Sequence, residues 1–78
     1  MDDRRFNGKK VCKYMNPGMV LYEIRGKHMH KYPGVGQPEY EIRGKYIHKV
    51  QNVQPEFEIR GNYIHETRST ALPVYEIR

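Results

Sequence analysis

A five-residue string recurs through this chain almost unchanged, and it restricts the fold more than any other feature. Tyr22-Glu23-Ile24-Arg25-Gly26 returns as Tyr40-Glu41-Ile42-Arg43-Gly44, as Phe57-Glu58-Ile59-Arg60-Gly61, and as Tyr75-Glu76-Ile77-Arg78. A second pattern follows each glycine: Lys27-His28-Met29-His30, Lys45-Tyr46-Ile47-His48 and Asn62-Tyr63-Ile64-His65. A degenerate copy opens the chain as Phe6-Asn7-Gly8-Lys9-Lys10-Val11-Cys12, so Gly8, Gly26, Gly44 and Gly61 stand 18, 18 and 17 residues apart. A unit this short cannot bury its apolar face alone and has to stack on its neighbours.

Each unit reads as a β-hairpin. Glycine followed by Lys or Asn supplies the first residue of a two-residue type II′ turn, where φ is positive. A turn at Gly44-Lys45 opposes Arg43 to Tyr46, Ile42 to Ile47, Glu41 to His48 and Tyr40 to Lys49. Directly opposed residues share a face and successive residues alternate. One face then carries Tyr40, Ile42 and Ile47, and the other Glu41, Arg43, Tyr46 and His48. A slip of one residue would split the two isoleucines, which supports the register. The linkers end in Pro38, Pro55 and Pro73, which cannot continue a helix. The expected fold is all-β: four tandem hairpins over about 3–14, 20–32, 38–50 and 55–67, with a spare strand at 74–78. Its core is Phe6, Val11, Ile24, Met29, Ile42, Ile47, Ile59, Ile64 and Ile77, roofed by Tyr22, Tyr40, Phe57 and Tyr75.

The first copy has the weakest leading strand, with Arg4 and Arg5 where the others have an aromatic residue and Glu. The spare strand has the better residues. Pairing of Val74–Arg78 with Lys10–Lys13 would close a pseudo-four-fold ring and remove exposed sheet edges. The alternatives are an open array, or a dimer formed by strand exchange.

Tandem hairpins with an aromatic-x-Ile-x-Gly core resemble the small bacterial β-flower repeat proteins, in which hairpin petals surround a pseudo-symmetry axis. The resemblance runs from Phe6 to Arg78 and implies a petal ring without catalytic residues.

Composition limits the function. With 78 residues the chain makes one small domain, and its 12% aromatic content argues against disorder. A single cysteine forms no internal disulfide. No apolar run approaches the ~20 residues of a membrane helix, and Met1-Asp2-Asp3-Arg4-Arg5 opens no signal peptide. The expectation is a soluble, cytoplasmic protein without membrane contacts. Of the net charge of +5, residues 1–13 carry +3 and the other 65 residues only +2. A dedicated nucleic-acid binder concentrates charge on its binding face, so a nucleic-acid accessory role is the second reading, behind an interaction module for a protein or small ligand.

Two constellations are candidate sites. Four residues after each glycine stand Cys12, His30, His48 and His65, a ligand set that suits zinc if the ring brings them together. The competing reading is that duplication alone aligns them, each His opposite Glu23, Glu41 or Glu58. The second constellation is Arg25, Arg43 and Arg60 with Tyr46 and Tyr63, able to stack bases or hold a ligand, or simply to form a cation–π ladder. No phosphate loop or nucleophile–base pair is present in the sequence, so no enzymatic activity is expected.

Overall fold

The computed structural model describes residues 5–34 and 36–78. All regular structure among them is strand: β1 (Lys10–Lys13), β2 (Asn16–Arg25), β3 (His28–Lys31), β4 (Tyr40–Arg43), β5 (Tyr46–Lys49), β6 (Pro55–Arg60), β7 (Tyr63–Glu66) and β8 (Tyr75–Ile77). Each strand pairs antiparallel with the next, and β8 returns to β1, which closes an eight-stranded barrel. No helix among the described residues is long and apolar enough to cross a membrane.

The hairpin registers follow from the glycines. Ile24 opposes Met29, Ile42 opposes Ile47 and Ile59 opposes Ile64. Gly26, Gly44 and Gly61 have φ of 67°, 61° and 64°, and the residues after them do not have positive φ, as a type II′ turn requires. The joints between hairpins repeat as well. The amide N–H groups of Ile24, Ile42, Ile59 and Ile77 donate to the carbonyls of Lys9, Lys27, Lys45 and Asn62 at 2.6–2.9 Å.

The hairpin expected over 3–14 is assembled differently. Residues 1–4 lie outside the described residues, and Arg5–Gly8 form a turn. Strand β1 has β2 on one side and β8 on the other, so no strand N-terminal to it can pair there. The fourth hairpin is therefore built from both ends of the chain: Val11 opposes Ile77 and Cys12 opposes Glu76. Phe6 does not lead a strand but plugs the barrel. It is buried in the core, while Asn7 Oδ1 accepts from Gly26 N–H at 2.7 Å and Arg5 Nη2 donates to Gly44 O at 2.6 Å.

Eight strands enclose a space that side chains alone can fill. Here Val11, Ile24, Met29, Ile42, Ile47, Ile59, Ile64 and Ile77 contribute one apolar residue per strand. The tight turns lie at one end of the barrel and the linkers at the other, because connections in an antiparallel meander alternate between ends. Toward the linker end, Tyr22, Tyr40, Phe57 and Tyr75 form a closed square of edge-to-face contacts, with centroids 5.7 Å apart on three sides and 6.2 Å between Tyr22 and Tyr75. Such contacts suit the aromatic quadrupole and add about 0.5–1.5 kcal/mol per pair beyond area burial. The domain is flat, 32 × 30 × 20 Å.

Candidate functional site

The outward wall of the barrel carries the residues singled out in the sequence, and the fold largely satisfies them internally. Arg43 lies opposite Tyr46 and Arg60 opposite Tyr63, as the register requires. The guanidinium groups turn instead to the glutamate two residues back, with Arg43 Nη2 2.9 Å from Glu41 and Arg60 Nη2 3.2 Å from Glu58. Arg25 contacts Glu23 at 3.2 Å in the same way. Among the described residues the Arg–Tyr ladder does not form, because a charge-assisted hydrogen bond to a carboxylate outcompetes an exposed cation–π contact. Lys45 takes the ring of Tyr46 at 5.4 Å, and Tyr63 packs edge-on against Tyr14.

Two linkers fold back onto this wall. Arg25 and Arg60 donate to the carbonyls of Gly34 and Ser69 at 3.0 and 2.9 Å. The Nδ1 atoms of His30 and His65 lie 3.0 and 3.3 Å from the carbonyls of Gly36 and Ala71. The repeat from Gly44 to Gly61 is one residue shorter than that from Gly26 to Gly44, and a register shift appears between Ile47 and His48. His48 is buried with an exposure of 8%, yet its Nδ1 has no hydrogen-bond partner among the described residues.

Cys12, His30, His48 and His65 do occupy equivalent places, opposite Glu76, Glu23, Glu41 and Glu58. They do not converge. Strand alternation that sends the isoleucines inward sends these four outward, one per hairpin around a closed wall. Among the described residues no group of three or more Cys, His, Asp or Glu is placed to hold a metal ion. Two of the four, His30 and His65, contact linker carbonyls instead.

The linker-end rim is where the repeat departs from its own rule. The residue five after each turn glycine, a lysine in three of the four copies, stands at the joint with the residue just before the next aromatic. Lys31 reaches Glu39 at 4.0 Å, and Lys49 reaches Glu56 at 3.7 Å. At the next joint Glu66 and Val74 occupy these positions, and at the last Lys13 and Leu21. Two acidic residues are thus replaced by apolar ones at neighbouring joints, on either side of β1. Between them opens a groove of about 500 Å³ lined by Lys13, Tyr14, Met19, Leu21, Val74 and Tyr75. Irregular pairing of β1 with the N-terminal half of β2 shapes it: Cys12 opposes Val20 and Lys13 opposes Asn16, so Pro17–Met19 are spanned by a single step of β1. The groove adjoins the widest side of the aromatic square. A smaller polar cavity of about 290 Å³ lies beside the short linker, lined by Tyr46, Gln54, Pro55, Thr67 and Arg68.

Sequence reasoning missed the groove, although alignment of the repeats does place Leu21 and Val74 where two units have Glu.

Electrostatics differ between the two ends of a repeat. Burial pushes the Tyr22 hydroxyl well above the usual phenol range, helped by Tyr40, Glu39 and Tyr75, and the hydroxyl donates to Glu39 at 3.4 Å. Burial, then Glu56, raises Tyr40 in the same direction. Toward the turns, a hydrogen bond from Lys27, followed by Arg43, holds the Glu41 carboxyl below its ordinary range despite the opposing effect of burial. Comparison of the chain with protein-family models, with curated proteins and with solved structures gives no match.

Proposed function

We propose that the protein is a non-enzymatic interaction module and that the groove flanking β1 is its recognition surface. The observation behind this reading is the clustering of repeat departures. The other two joints carry Glu39 and Glu56 in these places, so folding alone does not call for Leu21 and Val74. Placed together beside Met19, Tyr14 and Tyr75, they make a concave apolar site of the size ligand pockets have. The single buried Cys12 thiol suits a reducing compartment, and we assign the protein to the cytoplasm. The nucleic-acid reading has less support, because Arg25, Arg43 and Arg60 are already committed to glutamates.

The test uses an uncharged apolar dye such as Nile red. The folded protein should bind it with a blue-shifted emission that Leu21→Glu abolishes. Amide shifts on titration should centre on Met19, Leu21 and Val74. Unchanged dye binding in the Leu21→Glu variant would remove the groove as the site. Micromolar oligonucleotide binding at physiological salt, lost in Arg43→Ala and Arg60→Ala, would replace the module reading with the nucleic-acid one.

A further inference from the structure

Lys13 stands apart from the other lysines of the rim. Lys31 and Lys49 each face a carboxylate across their joint, whereas the residue in that place for Lys13 is Leu21. The same holds along the whole strand. Lys27 and Lys45 pair with Glu41 and Glu58 at 3.1 and 3.7 Å, so every lysine from β2 to β7 has an acidic partner. Lys9, Lys10 and Lys13 have none among the described residues; Lys10 lies over the ring of Tyr32 at 5.8 Å. No carboxylate lines the groove, and Glu66 at the neighbouring joint is not part of its wall. Of these three lysines, Lys13 lines the apolar groove, which thus holds a cation without an acidic partner among the described residues.

Resting on the groove as the recognition surface, we propose that its partner is an acidic peptide segment. An apolar side chain of that segment enters between Leu21, Val74 and Tyr75, and a neighbouring carboxylate supplies Lys13 with the partner its joint lacks. The groove wall joins apolar side chains to the one cation of Lys13. That combination calls for an occupant with both an apolar side chain and a carboxylate, which a peptide segment has and a small inorganic anion lacks. Met19 gives the wall a flexible, polarizable element that adapts to the side chain it meets. Tyr14 and Tyr75 supply large apolar surfaces with a polar tip, a combination enriched in protein interfaces. Charge complementarity of this kind speeds encounter and sets specificity, and it weakens with salt.

The test compares fluorescein-labelled dodecapeptides of one design by anisotropy, with the full chain at low and physiological salt. A central Leu-Phe pair is flanked by two Glu, two Gln or two Lys on each side, and a fourth peptide has Ala-Ala between the Glu flanks. The Glu-flanked peptide should bind at least tenfold more tightly than the Gln-flanked one, and the Ala-Ala peptide should lose at least tenfold. Lys13→Glu should reverse the order in favour of Lys flanks. Leu21→Glu should lose at least tenfold while keeping its circular dichroism and Tm, because it rebuilds the Lys–Glu joint that two other repeats already carry. Equal affinity for Glu and Gln flanks, still lost in Leu21→Glu, would overturn the acidic partner and leave the groove reading in place. Dye binding at the groove with no peptide binding would do the same. Peptide binding indifferent to Leu21→Glu would overturn both. A dimer that forms with concentration and is dispersed by Leu21→Glu would make a second copy of this chain the occupant and sink the acidic-peptide proposal.

Discussion

Val11 on the first strand lies directly opposite Ile77 on the last, in the relation that Ile42 has to Ile47 within one hairpin. Both are almost fully buried. The pairing joins the ends of the chain and leaves no strand of the barrel unpaired.

Removal of β8 should therefore cost more than its few residues suggest. A chain ending at Leu72 loses the partner of both β1 and β7, and it should unfold or associate through the exposed edges. Ile77→Ala alone should cost about 2–5 kcal/mol, the range for large-to-small changes in a core. Denaturant unfolding and sedimentation read both effects; a truncated chain that stays monomeric and melts unchanged would contradict the closure.

Backbone conformation at two equivalent kinds of turn gives opposite expectations. Gly44 has φ of 61° and nothing within 4 Å of where a Cβ would sit, so Gly44→Ala should destabilise by about 1–2 kcal/mol through backbone strain alone. Arg68 has φ of 63° without being glycine. Arg68→Gly should relieve strain and stabilise by about 0.5–1 kcal/mol, visible as a Tm several degrees higher.

His48 and His65 should respond oppositely to the same change. His65→Leu removes the contact with Ala71 O and should cost about 1 kcal/mol. His48→Leu removes a buried nitrogen that has no partner, and it should leave stability unchanged or raise it by up to about 1 kcal/mol. Urea unfolding of the two variants side by side decides this.

Stability should fall at both extremes of pH for reasons located at opposite ends of the repeat. Tyr22 and Tyr40 have folded pKa values above the unfolded 10.0, so the folded chain keeps protons that the unfolded chain releases. Their contribution is present below about pH 10 and is lost as pH rises beyond it. Glu41 is shifted the other way, so its contribution is present above the ordinary 4.5 and is lost as pH falls through the lowered value. Tyr22→Phe should flatten the alkaline limb, and Glu41→Gln the acid limb. Tyrosine absorbance near 295 nm checks the first directly.

The hairpins were legible because a glycine turn fixes register, and the register puts Ile42 beside Ile47. Closure was legible because the residues of Val74–Arg78 suit the first strand of a hairpin better than Arg4 and Arg5 do. The start of the chain misled for a physical reason: Phe6-Asn7-Gly8 has the residues of a strand and turn, but Arg5 and Asn7 hydrogen-bond across the barrel end and seat Phe6 as a plug. The alignment of Cys12 with the histidines left two readings open, and strand alternation favours duplication alone, since inward isoleucines imply outward neighbours. The groove depends on which joints are adjacent once the ring has closed, and no single hairpin contains that information.

Closure of the barrel across the chain ends also fixes where it gives way. Strands of a contiguous hairpin share four paired positions and a covalent turn, whereas β8 shares three with β1 and two with β7, the fewest of any strand, and has no tight turn on either side. Local opening is cheapest where the fewest contacts break, so amide hydrogen exchange should be fastest, among the core strands, at β8. Opening there releases a single short strand and uncovers the site that fits it. The same event in two molecules presents each with the other's missing piece, which makes the latch of the monomer the natural origin of any exchange between copies.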